Sequence, residues 1–261
     1  MPGPEDQPVA APAVAPDGTT TVELDPASLR ALITTGELEI MGRIPWASNA
    51  TLLARVTMPG DDGLSGLVIY KPERGERPLW DFPPGLYQRE VAAYEVSEAL
   101  GWGLVPPTVA RDGPAGMGSV QLFVRCQDNI TAFDLIGSEH PAMPAVAAFD
   151  VVTNNADRKG GHTLLDPDGR VWAIDHGVCF SDEPKLRTVI WDFAGEPVPD
   201  DLLADVRRLA DQVIGGKLGR RLGELLSGRE LRALRKRALS LAETGTFPQP
   251  TGGRPYPWPL I

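Results

Sequence analysis

The chain has almost no cysteine, few histidines, no excess of basic residues and no long apolar run, and each shortage closes off a class of protein. Two cysteines, Cys126 and Cys179, in 261 residues cannot make the multiply bridged framework of a small secreted domain, so a reducing compartment is expected. The three histidines, His140, His162 and His176, show none of the short paired spacings by which zinc motifs converge their ligands. Lys and Arg number 25 against 35 Asp and Glu, a net charge of −10, which gives nucleic acid and anionic lipid no non-specific attraction. No run approaches the roughly eighteen apolar residues of a membrane-crossing helix, and the N-terminus lacks the basic start and apolar stretch of a secretory signal. The chain is therefore expected to be cytoplasmic, with no membrane span and no nucleic-acid partner.

What is there is enough to fold, since 42% of the residues are apolar and can bury a real core. Residues 1–22 are rich in Pro and Ala with few large apolar side chains, and are expected to be a disordered tail. Asp25-Pro26-Ala27-Ser28-Leu29 then carries a helix cap and a first-position proline, with Gly36 as the stop. Strand-like runs follow at Leu53 to Val56 and Leu67 to Tyr70. Beyond them come an apolar helical spacing from Leu86 to Leu100 and two further strands, Thr108 to Arg111 and Ser119 to Val124.

Beyond Thr131 the pattern is mainly helical, broken by a strand pair around Asp166-Pro167-Asp168-Gly169. Helical periodicity then runs from Asp200 to about Glu243. The expectation is an α+β, bilobal protein: a β-rich N-lobe over 23–124, an α-helical C-lobe over 125–245 and a C-terminal tail over 246–261 lying across the surface through Tyr256, Trp258 and Leu260. Arg207, Arg208, Lys217, Arg220, Arg221 and Arg232 to Arg237 share their helices with leucines and read as a solvated basic face.

The polar segment Asn154-Asn155-Ala156-Asp157-Arg158-Lys159-Gly160-Gly161-His162 directly follows the apolar run Val146 to Val152, which marks a loop held by a rigid element. The strand pair after it reads as a hairpin. With Pro167 and Asp168 at the turn's centre, Leu165 faces Arg170 and His162 faces Ala173, so His162 and Asp175 lie diagonally close. Asp157 reaches the same end, setting two carboxylates and an imidazole around one spot. Such a set suits Mg²⁺ or Mn²⁺, and phosphoryl transfer needs little more than charge neutralisation and a base near the nucleophile. Taken singly, Asp157 would as readily cap a turn, and Asp175 would as readily be a solvated acid at a strand end.

The loop resembles the catalytic loop of the phosphoinositide 3- and 4-kinase-like kinases, which include the type II phosphatidylinositol 4-kinases and the HipA-type bacterial toxin kinases. Ala173-Ile174-Asp175-His176-Gly177 resembles the same family's metal-binding motif, in the correct order and separated by a hairpin. The resemblance implies a protein-kinase-like fold, with Asp157 as catalytic base, Arg158 and Lys159 on phosphate charge, and Asp175 as the principal metal ligand. His162 stands where the family has a metal-binding Asn. Lys71 resembles the phosphate-binding lysine, and Glu90 the helix glutamate that pairs with it, although an exposed strand-end lysine and an ordinary helix glutamate fit the same residues.

Ser48 and Asn49 fall in the place of the phosphate-covering loop, where a plain hairpin loop fits as well. Gln121, Phe123 and Val124 lie on the strand that enters the adenine-binding hinge, where a core strand is an equal reading. The implied activity is ATP-dependent phosphoryl transfer with Mg²⁺ or Mn²⁺ to a protein or a small hydroxylated acceptor. A lipid acceptor is disfavoured, because only Lys185 and Arg187 are basic between Val178 and Pro199. The alternatives are a nucleotide-binding regulatory pseudokinase, prompted by His162, and an AMP transferase on the same fold.

Overall fold

The computed structural model describes residues 12–13, 22–23, 25–45, 49–60, 64–251 and 253–261. They fall into two compact units, one of the described residues up to Gly75 with Val109–Phe123, the other of Glu76–Thr108 with Val124–Ile261.

The first unit is built on strands. Pro12–Ala13 (β1) pairs antiparallel with Val22–Glu23 (β2), so the segment expected to be a disordered tail contributes to a short ladder. Helix α1, Pro26–Thr35, starts where Asp25 accepts the amides of Ala27 and Ser28 at 2.9 and 3.0 Å. Gly36 closes it without left-handed backbone, at φ −60°. Glycine is needed there for room, since a Cβ would sit 2.5 Å from a Val56 methyl.

Strands β3 (Glu37–Arg43), β4 (Leu52–Thr57), β5 (Ser65–Pro72), β6 (Thr108–Arg111) and β7 (Gly118–Leu122) form one sheet in the order β3-β4-β5-β7-β6. The period-two alternation of β5 sends Val68 and Tyr70 to a fully buried face, shared by their partners Ala54, Val120 and Leu122 and covered by α1 through Leu29, Leu32 and Ile33. Lys71 stands opposite Ser119 and Ile69 opposite Gln121. Lys71 and Gln121 therefore lie on the sheet's other face, one diagonal step apart.

The second unit is mainly helical. Helix α2, Leu86–Leu100, is bounded by Gly85 and Gly101, both in left-handed backbone, and packs on later helices of this unit rather than joining the strands that surround it in sequence. Helices α3 (Ala132–Gly137) and α4 (Met143–Thr153) lead into the hairpin β8 (Thr163–Leu165) and β9 (Val171–Ala173). The periodic region beyond Asp200 resolves into α5 (Asp200–Val213), α6 (Gly216–Gly223) and α7 (Gly228–Thr244), the first two separated where Gly215 and Gly216 both take positive φ. α7 opens with a capping box between Ser227 and Glu230 and ends at Gly245, φ 66°.

The expected solvated basic face is in part turned inward: Arg237 is half-buried and donates to the carbonyls of Val152 and Ser181, and burial pulls its pKa down to about 10. Among the described residues no helix is long and apolar enough to cross a membrane.

Candidate functional site

The hairpin sets the frame of the site, and its register differs by one residue from the sequence expectation. Thr163 faces Ala173 and Leu165 faces Val171. The turn holds three residues rather than two, because Asp166 pairs with Arg170 and its Oδ1 takes the amides of Asp168 and Arg170 at 3.0 and 2.8 Å. Gly169 supplies the positive φ of 85° that such a loop ends on, and Asp166 Oδ2 also accepts the Trp172 indole N–H.

His162 consequently stands beside Ile174, whose amide donates to the His162 carbonyl at 3.0 Å. Regular extension would send Asp175 to the opposite face. Instead Asp175 leaves the strand at φ 63°, a conformation unusual for a side chain other than glycine and concentrated at functional sites. Its Oδ2 comes to 3.3 Å from His162 Nε2.

The loop that carries Asp157 begins where Asn154 ends α4 in left-handed backbone, φ 55°. Asn155 is fully buried; its amide oxygen takes the Asp157 N–H at 2.9 Å and its NH₂ donates to Asp150 at 3.1 Å. The loop is then stitched to the chain beyond Asp175: Ala156 N–H donates to Val178 O, Arg158 N–H to Arg187 O and Val189 N–H to Arg158 O.

Arg158 lies at the centre of this frame with no exposed surface. Its guanidinium bonds Asp150 on α4 through Nε and Nη2, each at 3.0 Å. Through Nη1 it also donates to the His162 and Ile174 carbonyls at 3.0 and 2.8 Å, and Nη2 reaches His176 Nε2 at 2.7 Å. Since a guanidinium only donates, that His176 nitrogen is the acceptor. Arg158 was expected on phosphate charge; in the structure its own charge is matched by Asp150 inside the protein. What Arg158 does is fasten the Asp157 loop and the Asp175 strand end to one helix.

Around this frame the polar side chains are open to solvent in part. Asp157 is 33% exposed and holds Lys159 Nζ at 3.3 Å. Burial pushes the Asp157 carboxyl above its usual range; Lys159 opposes the shift and the charge of Asp175 adds to it. Asp175 is 48% exposed. His162 receives the Lys159 amide at Nδ1, 3.4 Å away, and turns Nε2 toward Asp175.

The two-carboxylate and imidazole cation site expected from the sequence is not assembled: among the described residues no three His, Cys, Asp or Glu side chains are grouped to hold a metal. Asp175 still fits a magnesium-type ion, which takes one or two carboxylates and draws its other ligands from phosphate and water. His162, expected as a ligand, faces Asp175 with its Nε2 at 3.3 Å from Oδ2.

The remaining expected residues fall in different places. Glu90 on α2 is buried and accepts the His176 amide at 2.9 Å, so it holds the backbone next to Asp175. Lys71 and Gln121 share a sheet face in the first unit. Asn49 sits at a bend before β4, and Ser48 lies outside the described residues. Phe123 and Val124 follow the end of β7, and the Phe123 amide is already given to Leu67 O at 3.0 Å, which removes it as a donor to adenine.

Sequence reasoning passed over Asp150, Thr188 and His176, which complete the Arg158 frame. The available signal was Asp150 itself, an acid inside the apolar run of α4, which only a buried partner makes tolerable. Elsewhere in the unit, a cleft of about 680 Å³ is lined by Trp80, Asp81, Phe82, Lys185, Ser227 and Glu230, among others. Lys185, ten residues past Asp175, closes part of it by pairing with Asp81 at 3.2 Å.

An antiparallel N-terminal sheet followed by a helical region makes this an α+β, protein-kinase-like fold. No family model matches it. It is 44% identical over 88% of its length, and 95% of the relative's, to Protein Rv2133c of Mycobacterium tuberculosis, and the chain belongs to the family of that protein. It is also 27% identical, over 88% of its length, to phosphatidylinositol 4-kinase gamma 4 of rice, of which it spans about half (48%). Among solved structures, the Helicobacter pylori proinflammatory kinase CtkA aligns over 82% of this chain and 94% of its own, with a TM-score of 0.50 and 12% identity, a likeness of fold. The Golgi casein kinase with Mn/ADP bound aligns over 83% and 74%, with a TM-score of 0.48 and 13% identity.

Proposed function

We propose that this protein is an ATP-dependent phosphotransferase of the phosphoinositide-kinase-like kind, acting on a protein or a small hydroxylated molecule. The observation that carries the reading is the pair Asp157 and Asp175: two acids on separate loops, both partly open to solvent and both fastened by the same buried arginine. Phosphoryl transfer is mostly positioning and charge neutralisation, so such a fixed pair is what the chemistry asks of a protein. A divalent ion held by Asp175 would neutralise phosphate charge when bound. Asp157 accepts the proton of the acceptor hydroxyl, a role favoured by a carboxyl held above its ordinary range. Lys159, at 15% exposure beside it, supplies positive charge to the transferred group, and Lys71 is assigned to the nucleotide phosphates by the sequence resemblance.

The test is turnover of ATP by the purified protein with Mg²⁺ or Mn²⁺. Asp175→Ala is expected to lower it by about a hundredfold or more; equal turnover by that variant would sink the reading. Product mass separates transfer of phosphate from transfer of AMP. A second reading, a nucleotide-binding regulator with little transfer, is favoured by His162, whose ring nitrogens face the Lys159 amide and Asp175. It predicts ATP binding without turnover, with transfer appearing in His162→Asn.

A further inference from the structure

The chain after α7 returns to the Asp157 loop and is held there by its backbone. Phe247 exchanges hydrogen bonds with the 195–196 segment, accepting from Gly195 and donating to Glu196, both at 3.0 Å. Pro255 O then accepts two protons, from the Thr188 amide at 3.1 Å and the Trp191 indole at 3.0 Å. Leu260 O accepts the Gly160 amide at 2.7 Å. Over residues 255–261 the side chains take little part: Tyr256, Trp258, Leu260 and Ile261 are 50, 87, 40 and 70% exposed, and of the seven Pro257 alone is buried. The expectation that the tail lies on the surface through Tyr256, Trp258 and Leu260 is thereby corrected: carbonyl oxygens make the attachment.

Both amides that receive this segment belong to the frame of Asp157. Gly160 lies three residues beyond it, in a Lys-Gly-Gly stretch with little stiffness of its own. It is enclosed on two sides, since a Cβ there would lie 2.9 Å from the Phe133 ring and 3.5 Å from Leu260 O. Thr188 bridges Arg158 and donates its hydroxyl to Asp150 at 3.2 Å. One short segment thus ties down the loop's far end and the chain that flanks its near end.

We propose that residues 255–261 are a positioning strap: they fix the loop bearing Asp157 and Lys159 without touching the reacting groups, and their release loosens that loop while leaving Asp175 in place. This rests on the proposed phosphotransferase reading. A segment held by a few backbone bonds, with its side chains mostly exposed, opens at lower cost than core elements, so the strap is the part of the frame that a binding event can remove.

The experiment compares the full chain, a variant ending at Arg254, and Trp191→Phe, which removes one bond to Pro255 and keeps a smaller aromatic ring in its place. Amide exchange at Gly160 and Thr188 is expected to quicken by about tenfold or more in the shortened chain, and at Thr188 to a smaller degree in Trp191→Phe. In the same variants kcat for ATP turnover is expected to fall by about tenfold while KM for ATP moves by less than about twofold. A synthetic peptide of residues 250–261 should restore exchange and kcat together. Unchanged protection of Gly160, undiminished turnover by the shortened chain, or a loss shared by kcat and KM that the peptide does not repair would overturn the strap. If the full chain turns over no ATP, the phosphotransferase reading falls instead, and the exchange measurements alone then decide the strap.

Discussion

Asp157 is the residue whose environment is most informative. Burial raises its carboxyl above the usual range, with Lys159 pulling the other way, so the folded protein keeps a proton there that the unfolded chain has released. Stability from this group is therefore greatest at low pH and is lost as pH rises from the ordinary carboxylate range through the raised value. Asp157→Asn is expected to raise the melting temperature slightly at neutral pH and to leave it unchanged in strong acid, while abolishing turnover. The acidic limb of the kcat profile should lie above the ordinary carboxylate range. Lys159→Met should move it higher still and lower kcat by about a hundredfold.

Arg158 behaves differently. Its removal strands Asp150, a carboxylate with no exposed surface, and Arg158→Ala is expected to cost about 3–5 kcal/mol in a denaturant melt. Arg158→Lys should recover little of this, because an ammonium cannot span Asp150, two carbonyls and His176 at once.

The elements show where pattern reading succeeds and where it stops. α1 was legible because Asp25, Pro26 and Gly36 are local signals, and β5 because Leu67 to Tyr70 is an unbroken run of bulky apolar residues that suit a strand. The hairpin was legible as a hairpin, but its register was not. The deciding interactions are those of the Asp166 side chain with two amides and an indole, and a side chain's choice of partners is not written in turn composition. Asp166→Ala should cost about 2 kcal/mol and loosen the β8–β9 pairing, read as faster amide exchange at Asp166.

The places of Asp157 on a loop and Asp175 at a strand end were legible, yet the surroundings of Arg158 were not. Its charge pattern in the sequence is the same whether it faces phosphate or Asp150, and only burial tells them apart. α2 likewise reads correctly as a helix, while its companions across the fold are a tertiary matter that periodicity does not encode.

At the scale of the whole chain, the two cysteines offer a simple readout. Cys126 is exposed, whereas Cys179 is fully buried, where desolvation pushes its thiol far above the normal range. A thiol reagent should titrate one equivalent in the native protein and two in denaturant, and the slow appearance of the second should report opening of the helical unit. Two equivalents reacting at once in native buffer would contradict the packing around Cys179.

The fastening of Asp157's loop and Asp175's strand end to α4 also bears on what happens when a substrate arrives. While the 255–261 segment stays attached and Arg158 keeps its four partners in the interior, neither acid adapts by moving its backbone. Adjustment therefore falls to rotation about the side-chain bonds of the two aspartates. Acceptors should accordingly be discriminated by how well their hydroxyl meets a fixed geometry, with little reshaping of the loops to accommodate a poor fit.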